Sequence, residues 1–175
     1  MRNLNFRIAG VTTESVVDGA GLRSTIFFQG CPHHCPGCHN PETWQLDGGR
    51  EVTLIELLMM LKLTPLTTGV TFSGGEPFLQ SRNLVFLAAY LKRLKLNLWV
   101  YTGYTWEYLV NDSENDEIQL LLDYIDILID GPFISAKQQM ELPFRGSSNQ
   151  RLIKVRESLA TGRVVEWQLM GREAI

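Results

Sequence analysis

At 175 residues, with a formal net charge of -3 and 45% hydrophobic residues, the chain has the size and composition of one soluble globular domain spanning residues 1–175. Its lysines and arginines are scattered instead of striped, which argues against a nucleic-acid partner, and no apolar run nears the roughly 20 residues that cross a bilayer, so no membrane association is expected. Arg2, Asn3, Asn5 and Arg7 interrupt Leu4, Phe6 and Ile8, so the opening does not read as a secretion signal and a cytoplasmic protein is expected.

From Arg7 to Val17 short apolar pairs alternate with Thr12, Thr13, Glu14 and Ser15 without a clean period, compatible with a short strand or hairpin. Asp18-Gly19-Ala20-Gly21 is turn chemistry, and the β-branched and aromatic run from Leu22 to Phe28 predicts a buried strand that delivers the chain into Gln29-Gly30-Cys31. Thr53-x-x-Glu56 fits a capping box. Leu54, Leu57, Leu58 and Leu61 then recur at helical spacing until Pro65 forbids continuation. Gly69 to Phe72 reads as a second strand ending in Ser73-Gly74-Gly75-Glu76-Pro77, followed by a helix with Leu84, Leu87, Ala88 and Leu91 on one face and Lys92, Arg93 and Lys95 around its last turn.

Asn97 to Thr102 predicts a third strand, Thr105 a short helix, Asn111 to Glu117 a polar acidic loop, and Ile118, Leu121, Leu122 and Ile125 a further helix. Ile127 to Ile129 is a fourth strand ending at Asp130-Gly131-Pro132. After the polar segment Arg145-Gly146-Ser147-Ser148-Asn149-Gln150, Leu152 to Val155 and Val164 to Trp167 read as short strands around Thr161-Gly162. Alternating strands and helices with near-continuous apolar strands imply an α/β fold of mostly parallel strands with outer helices. Four or five such units are too few for a closed eight-stranded barrel, so an open, partial (β/α) barrel is expected, with its site at the C-terminal strand ends. Three of those ends carry the cysteine segment, the Gly-Gly-Glu turn and Asp130.

Cys31, Cys35 and Cys38 are all the cysteines, and the three histidines, His33, His34 and His39, sit among them. An odd number of thiols within eight residues is a poor disulfide framework and points to a reducing compartment and a bound metal. Thiolates hold iron-sulfur clusters, normally four to a cubane, and this loop supplies three, which leaves one iron for a substrate or cofactor. A zinc site completed by one of the histidines, or three inert thiols, are the alternatives, although here all candidate zinc ligands share one tight loop. Gly-Gly-Glu-Pro taken alone is equally an ordinary tight turn; its position after a strand and downstream of the cysteines gives it weight.

Cys31-x3-Cys35-x2-Cys38 resembles the radical S-adenosylmethionine signature, and Ser73-Gly74-Gly75-Glu76-Pro77 resembles the Gly-Gly-Glu-Pro motif of that superfamily. Val17-Asp18-Gly19-x-Gly21-x-Arg23 running into Gln29-Gly30-Cys31 is similar to glycyl-radical-enzyme activases. Tyr101-Thr102-Gly103-Tyr104, Ile129-Asp130-Gly131-Pro132-Phe133 and Arg145 to Gln150 narrow the resemblance to the anaerobic ribonucleoside-triphosphate reductase-activating protein family, over nearly the whole chain to about Val155.

The resemblance implies a [4Fe-4S] cluster on Cys31, Cys35 and Cys38, with S-adenosylmethionine chelating its unique iron. One electron, from a donor such as flavodoxin or ferredoxin, would cleave the sulfonium to methionine and a 5'-deoxyadenosyl radical, which would take hydrogen from a backbone glycine of the reductase. It further implies cofactor contacts at Gly37, Cys38, His39, Gly74, Gly75, Glu76 and Asp130. Glu76 would accept from the methionine amino group or fix its turn, and Asp130 would face the cofactor or cap a helix. Two positions depart from the wider pattern. Gly37 stands where the superfamily often has an aromatic, and Pro132 stands where some activases carry a lysine for the cofactor carboxylate. Activation of another glycyl radical enzyme, of the formate-lyase type, and a non-enzymatic iron-sulfur or zinc protein are the alternatives. The tail, residues 156–175, reads as an added hairpin or docking element.

Overall fold

The computed structural model describes residues 4–111 and 116–168. Parts of two predicted segments, the acidic loop and the tail, lie outside the described residues, at 112–115 and 169–175. The described chain forms β1 (Asn5–Ser15), β2 (Arg23–Phe28), β3 (Arg50–Thr53), α1 (Leu54–Met60), β4 (Gly69–Gly74), α2 (Ser81–Arg93), β5 (Asn97–Tyr101), α3 (Trp106–Asn111), α4 (Asp116–Leu122), β6 (Ile127–Asp130), β7 (Arg151–Lys154) and α5 (Val155–Thr161). All seven strands join one sheet in the order β3-β1-β2-β4-β5-β6-β7. The pairs β2/β4, β4/β5 and β5/β6 are parallel, whereas β1 and β7 run against their neighbours. The result is an α/β fold on a mostly parallel sheet.

Strand alternation sorts the two faces. Ile26 and Phe28 of β2, Val70 and Phe72 of β4, Leu98 and Val100 of β5 and Leu128 of β6 join the apolar core with Leu57 of α1, Leu84, Leu87, Ala88 and Leu91 of α2, Leu109 of α3 and Leu121 of α4. The intervening residues face the other way. There Trp99, Ile127, Ile129 and Leu152 form a second, smaller core with Phe144 and Trp167 packed on it. The capping box forms as expected: the Thr53 hydroxyl accepts from the Glu56 N–H, and the Thr53 N–H donates to the Glu56 carboxylate at 2.7 Å.

Two expectations are corrected, and one strand is new. The N-terminal segment is one 11-residue strand instead of a short strand or hairpin, and register shifts at Ile8/Gly10 and Thr12/Ser15 are what scramble its alternation. β3 carries no apolar run of its own and is a strand because it pairs with β1. Val155 opens α5 instead of closing a strand, and Gly162, at φ +68°, takes the left-handed turn after that helix instead of a hairpin tip. Residues 164–167 still return along β7, with the Lys154 N–H on the Val165 carbonyl at 2.8 Å and the Trp167 N–H on the Leu152 carbonyl at 2.6 Å.

Two polar ties lock the parallel strands. At their N-terminal ends Arg23 is 1% exposed. Its Nε donates to Thr71 Oγ1 (2.8 Å), Nη1 to the Ala20 carbonyl (3.0 Å) and Asn97 Oδ1 (3.2 Å), and Nη2 to the carbonyls of Val70 (2.8 Å) and Asn97 (2.9 Å). Every guanidinium donor is used, and the group lies over the Trp99 ring at 5.2 Å. Burial lowers its pKa to about 10, still well above neutrality. At the opposite ends Asp130 accepts from Arg151 Nε (3.0 Å) and the Trp106 N–H (2.8 Å), and Arg151 reaches on to both oxygens of Glu107 at 3.0 and 2.9 Å. β6, β7 and α3 are thereby joined.

Arg23→Met keeps an apolar stem but leaves several buried acceptors unpaired. At ~1–3 kcal/mol each, the loss is on the order of 3 kcal/mol or more, read as a fall in Tm of roughly 6–12 °C; an unchanged Tm removes this role. The Arg151 hydrogen bond holds the Glu107 carboxyl below its ordinary 4.5, against partial burial. That contribution is complete above pH 4.5 and is lost as pH falls through the depressed value. Glu107→Gln is therefore expected to cost about 0.2–1 kcal/mol at neutral pH for this largely exposed pair, with the gap to the native protein closing on acidification in urea titrations.

Candidate functional site

The cysteine loop leaves the end of β2 and is closed at its base by the chain itself. Gly30 and Cys31 donate their N–H groups to the carbonyls of Thr43 (2.8 Å) and Trp44 (3.1 Å). The buried Gln29 amide spans the same closure, donating to the Glu42 and Gln45 carbonyls at 3.1 and 2.7 Å. Within the loop the Cys38 N–H bonds the Cys35 carbonyl at 3.0 Å, and the Asn40 N–H approaches Cys38 Sγ at 3.4 Å. Cys31, Cys35 and Cys38 carry free thiols and all three line one cavity of about 440 Å³ on the helix-free face of the sheet, within the ~300–1,000 Å³ of small-molecule sites.

The β4 exit runs hard against the start of that loop. Gly75 donates to the Phe28 carbonyl at 2.8 Å and Glu76 to the Gly30 carbonyl at 2.7 Å. A Cβ on Gly75 would sit 2.3 Å from the Gly30 oxygen, and one on Gly74, at φ +90°, 2.7 Å from the Phe27 Cα. Both positions therefore exclude a side chain, and Gly74 and Gly75 line the cavity beside the thiols, next to Ser73.

The Glu76 side chain turns the other way, into the protein, at 0% exposure. Its carboxylate accepts from the Phe78 N–H (3.1 Å), the Thr102 hydroxyl (2.9 Å), the Gly103 N–H (2.9 Å) and His33 Nε2 (2.9 Å). Of the two roles open to it in the sequence, fixing its turn is the one these bonds perform. Asp130, 1% exposed, is likewise filled by Arg151 and by the first N–H of α3, the helix-end role. Neither residue is among those lining the cavity. Gly37, Cys38 and His39 do border the cavity or stand against its wall: Cys38 and His39 line it, and a Cβ on Gly37 would stand 3.3 Å from the ring of the lining residue Phe133.

Each histidine has a partner in the protein, and His33 and His39 line the thiol cavity. His33 meets Glu76 and the edge of Tyr104 (4.6 Å), His34 packs on Trp44 (5.1 Å) and His39 on Phe133 (5.1 Å). Among the described residues no three His, Cys, Asp or Glu side chains form a group fit to hold a single metal ion. Burial raises the Cys31 thiol above its ordinary pKa, opposed by hydrogen bonds from the His33 and His34 backbone and reinforced by the charge of Glu76. Metal binding there must displace that proton.

Sequence reasoning missed several cavity residues, notably Phe27, Phe133 and Phe144. Strand parity could have found Phe27; the other two lie in loops with no periodic signal. Among the described residues no helix is long and apolar enough to cross a membrane.

Residues 17–153 match the family of 4Fe-4S single cluster domains. The chain is 41% identical over 144 residues to an anaerobic ribonucleoside-triphosphate reductase-activating protein of Pasteurella multocida, covering 77% of this chain and 89% of that one. It is 38% identical to the protein of that name from Vibrio cholerae, with the same shares covered, and 33% identical to that from Escherichia coli K12, covering 77% of this chain and 90% of that one. A pyruvate formate-lyase-activating enzyme of Clostridium pasteurianum is 46% identical over only 84 residues, 45% of this chain and 35% of its own. With a cluster-domain match across most of its length and similarity to the activating proteins over 77% of the chain, the chain belongs to the anaerobic ribonucleoside-triphosphate reductase-activating protein family.

Proposed function

We propose that this chain is a radical S-adenosylmethionine activase that generates a glycyl radical on an anaerobic ribonucleoside-triphosphate reductase. The observation that carries the reading is the sharing of one open cavity by three thiols from a single loop and a side-chain-free Gly74-Gly75 turn, at neighbouring C-terminal strand ends. The donor set fits a [4Fe-4S] cluster: Cys31, Cys35 and Cys38 would hold three irons, and His33 already bonds the Glu76 carboxylate. When both groups are bound, the chemistry they supply is one-electron reductive cleavage of the sulfonium followed by removal of a hydrogen atom from a backbone glycine of the partner.

The chain's own residues bind and orient. Gly74 and Gly75 offer backbone groups to the methionine portion, and Gly37, Cys38 and His39 border the space for the rest of the cofactor. Glu76 and Asp130 act one step removed, holding the walls that those residues form. Helices on one face and the cavity on the other are what an open, partial barrel would present, and we take the sheet to be one. A flavodoxin or ferredoxin would supply the electron. Activation of a formate-lyase-type enzyme is the second reading, favoured by the partial match over 84 residues.

Anaerobic iron and sulfide analysis is expected to give about four irons per chain, the cubane content, with Cys31→Ala, Cys35→Ala or Cys38→Ala each abolishing it; stoichiometric zinc in the native protein sinks the proposal. Mixing the reduced protein with S-adenosylmethionine and the reductase is expected to produce a glycine-centred electron paramagnetic resonance doublet. A doublet with formate-lyase and none with a competent reductase would establish the second reading instead. Glu76→Ala strips the acceptor from the Thr102, Gly103 and Phe78 donors. It is expected to lower stability by on the order of 3 kcal/mol and loosen the cysteine loop, seen as faster amide exchange at residues 31–38; native-like exchange there would show that the carboxylate does not hold the loop.

A further inference from the structure

The segment Arg145 to Gln150 has no chemistry in the reading above, yet its hydrogen bonds converge on one short strap, Gly131 to Ile134, that leaves the end of β6. Gln150 donates its amide to the Gly131 carbonyl (3.1 Å), Asn149 donates to the Pro132 carbonyl (2.8 Å), and the Ile134 N–H donates to the Ser147 hydroxyl (3.2 Å). Residues 131, 132 and 134 are each tied down, and the one between them is Phe133. The segment is itself pinned, since the Gly146 and Ser147 N–H groups both reach the Gln150 side-chain oxygen at 2.9 and 3.2 Å.

The ring of Phe133 is seated between two glycines. A Cβ on Gly146 would lie 3.0 Å from its Cδ2 and 3.1 Å from its Cε2, and one on Gly37 would lie 3.3 Å from its Cε1. His39 packs against it at 5.1 Å with the planes inclined by 48°. The ring is half-buried and lines the same cavity as the thiols. The ring belongs to neither apolar core of the fold and stands instead at the wall of the thiol-lined cavity, beside the space a guest would enter. It stands beside Gly37, the residue before the last cysteine, and occupies space a side chain there would have filled.

We propose that Phe133 is the platform on which the adenine ring of the nucleoside cofactor stacks, an aromatic wall supplied from the β6 exit in place of one on the cysteine loop. The assignment rests on the S-adenosylmethionine reading above. A flat heteroaromatic ring gains from a rigid aromatic face at no cost in ordering that face. Phe133 is thus a binding residue, and Gly146, Ser147, Asn149 and Gln150 are positioning residues for it.

The test is equilibrium dialysis of S-adenosylmethionine, S-adenosylhomocysteine and methionine against anaerobically reconstituted protein with its iron content measured in parallel. Phe133→Leu is expected to keep its iron and to bind both nucleosides about 5- to 150-fold more weakly, with methionine binding unchanged and Phe133→Tyr, which keeps the six-membered ring, retaining nucleoside affinity. Gly146→Ala, which pushes on the ring without removing it, is expected to weaken the nucleosides in the same selective way and serves if Phe133→Leu does not fold. Equal nucleoside affinity in Phe133→Leu and native protein, or a parallel loss for methionine, overturns the assignment alone. Native protein that holds its cluster and binds neither nucleoside overturns the cofactor reading with it.

Discussion

The site hangs on one buried carboxylate. Taking Glu76 fully out of water carries a desolvation penalty of several kcal/mol, and it is tolerated because donors from three parts of the chain meet on it: His33 from the cysteine loop, Phe78 from the turn after β4, and Thr102 with Gly103 from the exit of β5. The neighbouring backbone is shaped around the same contact. A Cβ on Gly103 would stand 2.3 Å from the His33 ring, so the glycine after β5 is what lets the imidazole reach the carboxylate. With the Gly75 and Glu76 N–H groups also bonded to the β2 exit, three strand ends become one rigid corner, and the thiols are carried by it.

Strand parity turns that corner into a cavity. On β2, β4 and β5 alternate residues enter the helix-covered core, and the intervening Phe27, Ser73 and Tyr101 reach the cavity at the strand ends. The helical and strand periods were legible because burial follows them closely; Leu84, Leu87, Ala88 and Leu91, spaced for one helix face, are all 0% exposed. So were the thiols, whose spacing on one loop needs no tertiary information to be recognised.

What could not be read were features made by partners distant in sequence. β3 is a strand only through β1. α5 is short and mostly polar, so its helical period is hidden behind the turn residues that follow. Most instructive are the two carboxylates at strand ends. The sequence places Glu76 and Asp130 at strand ends, but whether a carboxylate faces a cavity or is consumed by the protein depends on which donors arrive, here His33, 43 residues away, and Arg151, 21 residues away. Arg23 is the same lesson in reverse: a residue of an activase-like motif whose five donors all go to the sheet and its turn.

The cavity walls are therefore ordered before any guest enters. The base of the cysteine loop is closed by the Gly30 and Cys31 amides and by Gln29, and the facing strap is tied at residues 131, 132 and 134. The conformational entropy of those segments is already spent in folding, where the core offsets it, and does not weaken binding later. Ligation by Cys31 still has to displace a proton that burial favours, and a floppy loop would add an ordering cost to that one. A loop closed at its base in advance reduces that ordering cost.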